Sequence, residues 1–311
     1  VGKTGTSSLQ LNLFKNLTTV DCLGRPNHHG KEFASFFHSL HFSEDAEFEN
    51  KAREFRDFTH LSPNRRVIIS HEGFRSDVNS FVARRLHTTF PSAQILITVR
   101  NQVDAITSHY VSIGRHLKGI PHKQRVNMHV PFDDYFDFNS GSPHRGYFRQ
   151  LDYDLLRRVY ADFFGAENVH ILLFENMAAA HPAYFEELAR ILDAPVDEVS
   201  ALMLGSKKKN AGDSARQVQY AKLRSLIPIR SIRKKLFLPE ALGRRIDAFL
   251  RSGNRMDVVF TPEHRSWIEE FYGPGNRRLM EELGLPLDQF GYPGAVSTAG
   301  AVEPAMQRMA S

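Results

Sequence analysis

The first ten residues gather chemistry suited to holding an anion. Lys3-Thr4-Gly5-Thr6-Ser7-Ser8-Leu9 brings one cation, one flexible glycine and four hydroxyls to the start of a helix or its first turn. Gly5 lets the backbone curl so that consecutive N–H groups face one point. A helix N-terminus adds its dipole and unpaired donors. The hydroxyls of Thr4, Thr6, Ser7 and Ser8 add short bonds to anionic oxygens, and Lys3 adds a mobile point charge. Gly2-Lys3-Thr4 superficially matches the end of a Walker A motif. The register differs, because there the lysine follows the loop glycines, whereas here Gly5, Thr6 and Ser7 follow the cation.

A second anion site is written at RNQVDAITSHY, residues 100–110. Arg100 follows the apolar run ILITV, and Ser108 lies eight residues on, inside the next helix. Ligands of open parallel sheets bind beyond the carboxyl ends of the strands. An arginine there offers a fork to a phosphate, and Ser108 can donate from the helix wall. Two anion sites on one sheet imply a ligand with two anionic ends, such as a nucleoside with a 3′-phosphate and a 5′-phosphosulfate. A simple nucleoside triphosphate leaves the second site idle.

The elements that must position these residues follow from periodicity. Leu9, Leu13 and Leu17 predict a helix capped by Thr6 or Ser7. VIIS at 67–70, ILITV at 95–99 and VHILLF at 169–174 predict strands. Helices are expected near 43–58, 77–90, 103–113, 149–164, 182–192, from Thr261, and over 276–283. Strand and helix alternating at this spacing predicts an α/β fold, a parallel sheet flanked by helices of the P-loop-containing nucleotide-binding type. Residues 1–293 read as one domain. Within it, 114–148 is an insertion, polar and rich in Gly, Pro and His, as lids and binding loops are. His116, His122, His129, Phe132, Tyr135 and Phe136 place it beside the acceptor of any transferred group. Residues 294–311 lack a hydrophobic period and read as a flexible tail. A phosphate loop of this kind normally follows a buried strand, and only Val1 and Gly2 stand ahead of Lys3, so a preceding segment is expected.

Composition narrows the class. The 311 residues carry a formal charge of +5, which helps capture anions and does not call for nucleic acid. Residues 222–245 hold eight basic side chains and one acidic one, so contact with an anionic membrane surface is a reading beside that of a solvated helical face. The single cysteine, Cys22, excludes an intrachain disulfide and a thiolate cluster, and it fits a cytoplasmic chain, free or peripheral to a membrane. No carboxylate pair or histidine cluster has clear metal-ligand spacing, and no metal is expected.

In these motifs the chain resembles the sulfotransferases that use 3′-phosphoadenosine 5′-phosphosulfate (PAPS). KTGTSSL looks like their 5′-phosphosulfate loop, and RNQVDAITSHY like their 3′-phosphate motif, with Gln102 where proline is usual. ILLFENM at 171–177 resembles a strand followed by an acidic turn. EEFYGPGNRRLMEELGLPLDQFGYP at 269–293 resembles the closing segment of bacterial and carbohydrate-type members, with its Tyr, its Asn and its aromatic-Gly ending. The resemblance implies transfer of a sulfuryl group from PAPS to an acceptor hydroxyl or amine, on a carbohydrate or glycolipid, with 3′-phosphoadenosine 5′-phosphate (PAP) as product. It also implies a basic loop near the 3′-phosphate, for which Lys207, Lys208 and Lys209 are candidates.

Lys3 would stabilise charge on the leaving group. Three residues compete to be the base, and His71 is the first choice. His71 follows the strand at 67–70, as the catalytic His does in the cytosolic members, and a neutral imidazole can accept a proton. Glu72 is its direct neighbour, a competitor or a partner that orients the ring. Glu32 sits in KEFASFF, similar to the Lys-Glu-aromatic segment that carries the base in heparan-type enzymes. Two rival functions stand beside this one: a P-loop kinase using ATP and magnesium, and a binding module that holds the nucleotide without reacting.

Overall fold

Short apolar runs become strands and amphipathic stretches become the helices between them. The computed structural model describes residues 3–24, 30–60, 66–75, 80–112, 130–141, 146–205, 214–225, 240–254 and 256–295. From the N-terminus, α1 (Thr6–Ser8) passes directly into a π-helical stretch (Leu9–Phe14). Then come β1 (Val20–Gly24), α2 (Gly30–Phe42), α3 (Asp45–Thr59), β2 (Arg66–Ser70), α4 (Ser80–Thr89), β3 (Ile95–Val99) and α5 (Gln102–Ser112). The second half holds α6 (Phe132–Ser140), α7 (Tyr153–Phe164), β4 (Val169–Leu173), α8 (Phe174–Ala178), α9 (Pro182–Leu192), α10 (Val196–Leu204), α11 (Ala215–Ser225), α12 (Glu240–Arg251) and α13 (Pro262–Leu283).

The strands pair in parallel, as the alternation of strand and helix predicts. β1 runs beside β2, with Val20 opposite Arg66 and Gly24 opposite Ser70. β3 runs beside β4, with Ile95 opposite Val169 and Val99 opposite Leu173. Side chains alternate between two cores. Ile69, Ile95, Ile97, Val99 and Ile171 face a large core built with α2–α7 and α13. Val20, Ile68, Leu96 and Leu172 face a smaller one, built from Leu9, Leu13 and Leu17 against Tyr184, Phe185 and Leu188 of α9.

Several elements depart from the sequence reading. Gly5, not Thr6 or Ser7, caps α1. The expected helices near 261–271 and 276–283 are one 22-residue helix, α13, with Pro274 inside it. Its start is as expected: Thr261 accepts from the His264 N–H, with Pro262 in the first turn. The Gly273-Pro274-Gly275 step stays helical where α13 lies close to other chain. A Cβ on Gly273 would sit 3.3 Å from the Cα of Gly294, and one on Gly275 3.2 Å from the Asp154 Cβ. Part of the 114–148 insertion is core rather than lid. α6 buries Tyr135 and Phe136, and His109 stacks on Tyr147 with centroids 3.7 Å apart while bonding the Tyr135 hydroxyl at 2.9 Å. Gly294 and Ala295, at the start of the expected tail, are packed. Ala295 is buried, and the Gly294 carbonyl accepts from Arg277 at 3.3 Å.

Buried charge fixes the frame. Arg85 of α4 reaches the carbonyls of Ser39 and Ser43 and the carboxylate of Asp45, at 2.7–2.8 Å, and so holds the end of α2 against α3. Asp154 of α7, fully buried, accepts from Arg158 at 3.1 Å and from Arg278 of α13 at 2.9 Å. No helix among the described residues is long and apolar enough to cross a membrane. Most of the basic stretch 222–245 falls outside what can be described of side chains.

Candidate active site

The expected phosphate loop is bent by two left-handed residues, Lys3 at φ 67° and Gly5 at φ 81°. Lysine rarely adopts this conformation, and such strain concentrates at functional sites. Thr4 between them is fully buried, its hydroxyl 2.7 Å from that of Thr98 near the end of β3. Its side chain is therefore a strut that joins the loop to the sheet, rather than an outward anion ligand. The Gly5 carbonyl accepts from the Ser8 N–H at 2.8 Å and the Leu9 N–H at 3.2 Å. That starts the helix and leaves the Thr6 and Ser7 amides in its first turn, where intrahelical partners are lacking. Ser8 accepts from the Asn12 side chain at 3.0 Å.

Gly5 is also a packing requirement. A Cβ there would run into Met177 Cε and lie 2.8 Å from Phe174, both of α8. Gly5→Ala is expected to cost about 1–3 kcal/mol through φ strain and this clash. The midpoint of denaturant unfolding checks it, and an unchanged midpoint would show that α8 yields.

Arg100 leaves the end of β3 and turns toward the loop. Its NH1 donates to the Lys3 carbonyl at 3.2 Å, its guanidinium lies 4.7 Å over the Phe174 ring, and Asp104 stands 3.6 Å from NH2. Its Nε is buried with no hydrogen-bond partner among the described residues. The two predicted anion sites are thus in direct contact. Ser108 lies two turns along α5, on the same side of the helix as Asp104, and is partly exposed.

The next two residues are held from below by the end of the chain. The Asn101 N–H donates to Glu175 of α8 at 2.8 Å, and its side chain donates to the carbonyls of Phe290 (3.0 Å) and Gly291 (2.8 Å). Tyr292 donates to the other Glu175 oxygen at 3.0 Å. Burial, and then the Glu175 carboxylate, raises this phenol well above its ordinary range, so it stays a donor. Gln102, fully buried, exchanges amide bonds with Asn276 at 2.9 and 3.2 Å. Asn276 also donates to the Pro293 carbonyl at 2.8 Å, and Tyr153 donates to the Arg100 carbonyl at 2.8 Å. Gln102, where proline is usual, is thereby a bolt between α5 and α13. Sequence reasoning singled out no role for Glu175, Asn276 or Tyr292, although the closing aromatic-Gly segment was the available signal.

At the other strand pair, His71 stands just beyond β2 among Phe37, Phe33 and Phe74, with ring centroids at 4.0, 5.8 and 6.1 Å. Its Nδ1 accepts from the Gly73 N–H at 3.0 Å. On a neutral ring the proton then sits on Nε2, which is a donor. Glu32 is in the first turn of α2, exposed, its carboxylate folded back over Gly30, whose φ is 70°. Phe33, the next residue, packs beside His71 and near Gly24, so both candidates stand on the rim where β1 and β2 end. Glu72 opens a short 3₁₀ turn.

A sequence profile of the sulfotransferase family matches residues 24–198. The chain belongs to the sulfotransferase family. The crystal structure of a sulfotransferase from Alicyclobacillus acidocaldarius is similar in fold, with a TM-score of 0.54 over 93% of this chain and 95% of that one, at 19% identity. No curated protein matches the chain. The family match spans Glu32, His71, Arg100, Ser108 and Glu175. It starts after the phosphate loop, and the closing segment that bolts α5 in place lies beyond its end. Lys207, Lys208 and Lys209, with His116, His122 and His129, lie outside the described residues.

Proposed function

We propose that this sulfotransferase takes its sulfuryl group from PAPS and passes it to a hydroxyl, or an amine, of a carbohydrate or glycolipid. The observation that carries the reading is the contact between the two anion sites, made by Arg100 on the Lys3 carbonyl and by Thr4 on Thr98. One bipolar anionic nucleotide could engage both. The residues fit such a donor: the Arg100 Nε is buried and still lacks a partner among the described residues, and the Thr6 and Ser7 amides stand in the first turn of α1.

Lys3 and the first-turn amides of Thr6 and Ser7 would hold the 5′ end, with Arg100 and Ser108 at the 3′-phosphate. In the reaction an acceptor oxygen bonds to sulfur as the bond from sulfur to the bridging oxygen breaks. The electron pair stays with PAP, where Lys3 offsets its charge. The acceptor proton passes to a base, which we assign to Glu32. A carboxylate accepts only, whereas His71 presents a donor while Gly73 occupies its Nδ1. His71 then serves to orient the acceptor or the rim.

Labelled PAPS offered with sugars, glycolipids, phenols and peptides tests the activity, and label appearing only on phenols would overturn the acceptor class. Binding tests the donor. The chain should hold PAP more tightly than 5′-AMP. Arg100→Ala should lose about ten- to a hundredfold in PAP affinity, the worth of a charge-assisted bond. It should lose less for 5′-AMP, since that loss reflects only the loop brace. Equal losses for the two nucleotides would remove Arg100 from the 3′-phosphate.

A further inference from the structure

The positive charge of this chain is concentrated in one stretch. Residues 215–251 hold ten basic side chains and two acidic ones, a formal charge of +8 against +5 for the whole, so the rest of the chain is net negative. The stretch comprises α11, α12 and the residues between them. Lys3 and Arg100 lie outside it. Most of the field that draws anions to this molecule therefore belongs to the two helices and their connection, not to the nucleotide residues.

The start of α11 is pinned to the end of α12. The Ser214 hydroxyl donates to the Leu250 carbonyl, and the Ala215 N–H donates to the Asn254 carbonyl at 2.7 Å. Arg216 donates to the Ser252 hydroxyl at 3.0 Å, and its guanidinium lies 4.5 Å over the Phe249 ring. From this base α11 runs outward and α12 returns. Tyr220 follows Arg216 by four residues and Arg245 precedes Phe249 by four, so each pair shares a face of its own helix. All four are exposed, Phe249 at 61% and Tyr220 at 44%. A lone exposed ring is ordinary on a protein surface. Here each ring stands with an arginine, in opposite order on the two helices. Ile246 and Leu250, half-buried, extend the apolar side of α12 beside Phe249.

We propose that α11 and α12 form a docking surface for a lipid bilayer that carries anionic headgroups. The arginine forks take headgroup phosphates. Phe249 and Tyr220 enter the boundary between headgroups and acyl chains, where aromatic rings are favoured. The concentrated positive charge supplies the attraction, at a strength that salt screens. A soluble polyanion would engage the arginines and leave the rings in water, so the interleaved rings select a bilayer.

The test takes the full chain and vesicles of about three parts phosphatidylcholine to one part phosphatidylglycerol, against phosphatidylcholine alone. Cosedimentation should show binding to the anionic vesicles at least about tenfold tighter, falling as salt rises. Phe249→Ser should weaken it by about five- to tenfold and Arg245→Gln by about fivefold, with unchanged unfolding midpoints because both side chains are exposed. Phe249→Trp keeps a ring and reports its depth: lipids brominated on their acyl chains should quench its fluorescence beyond what Trp267 of the parent shows. Equal binding to both kinds of vesicle, or to neither, overturns the proposal. So does anionic-vesicle binding that survives Phe249→Ser without added quenching in Phe249→Trp, which would move the contact elsewhere. If dextran sulfate binds as tightly as the anionic vesicles and Phe249→Ser weakens neither, the partner is a soluble polyanion and the lipid assignment falls. Should Phe249→Ser shift the unfolding midpoint, the quenching of Phe249→Trp decides alone.

Discussion

Lys3→Ala is expected to slow sulfuryl transfer by about a hundred- to a thousandfold at saturating donor, with PAP affinity reduced far less. The reason is where charge develops. In the ground state the bridging oxygen of PAPS is nearly neutral, and as its bond to sulfur breaks it takes up negative charge. A cation beside that atom is worth most in the transition state, and removing one such donor costs about 3–4 kcal/mol. Position supports the assignment. Lys3 is held in a left-handed conformation between the Arg100 contact to its carbonyl and the buried Thr4, so its side chain leaves the loop in a set direction. Lys3→Arg keeps the charge but moves it along a longer, planar group, and should recover part of the rate. Single-turnover transfer with preloaded PAPS separates chemistry from product release. A rate for Lys3→Ala within threefold of the parent would place charge stabilisation on the loop amides alone.

What the sequence revealed, and what it hid, has a physical pattern. β3 was legible because Ile95–Val99 is apolar on both faces and long enough to recognise, and Pro182–Leu192 because its apolar residues recur at helical spacing. β1 was not. Val20-Asp21-Cys22-Leu23-Gly24 has only two buried positions, and it is a strand because β2 pairs with it. α6 was hidden by composition. Asp133, Asp134 and Asp137 make 132–140 look like a polar loop, yet its inner face carries Tyr135, Phe136 and Asn139 into the core. The site divides the same way. Lys3–Ser8 and Arg100–Ser108 are local patterns, so their types and spacing suffice. The bolts beneath them, Glu175 on Asn101 and Asn276 on Gln102, join residues 74 and 174 positions apart. Only tertiary folding brings those together. Thr4 follows the same pattern. Its hydroxyl is local to the anion loop in sequence but spent on Thr98 in space.

The second large effect is expected at the base. Glu32→Gln should lose about a hundredfold or more in single-turnover transfer, with PAP binding retained, because general-base catalysis contributes about that much. Glutamine keeps the size and exposure of the side chain on the first turn of α2 and removes only the ability to take a proton. His71→Ala should be milder. The ring sits in a cage of Phe33, Phe37 and Phe74, so its loss loosens the rim next to Glu32 and raises acceptor KM before it lowers the chemical rate. Glu72→Ala is the control, expected near the parent. If His71→Ala abolishes the chemical step while Glu32→Gln turns over normally, the Gly73 contact on Nδ1 must open during turnover, and the proton goes to the imidazole instead.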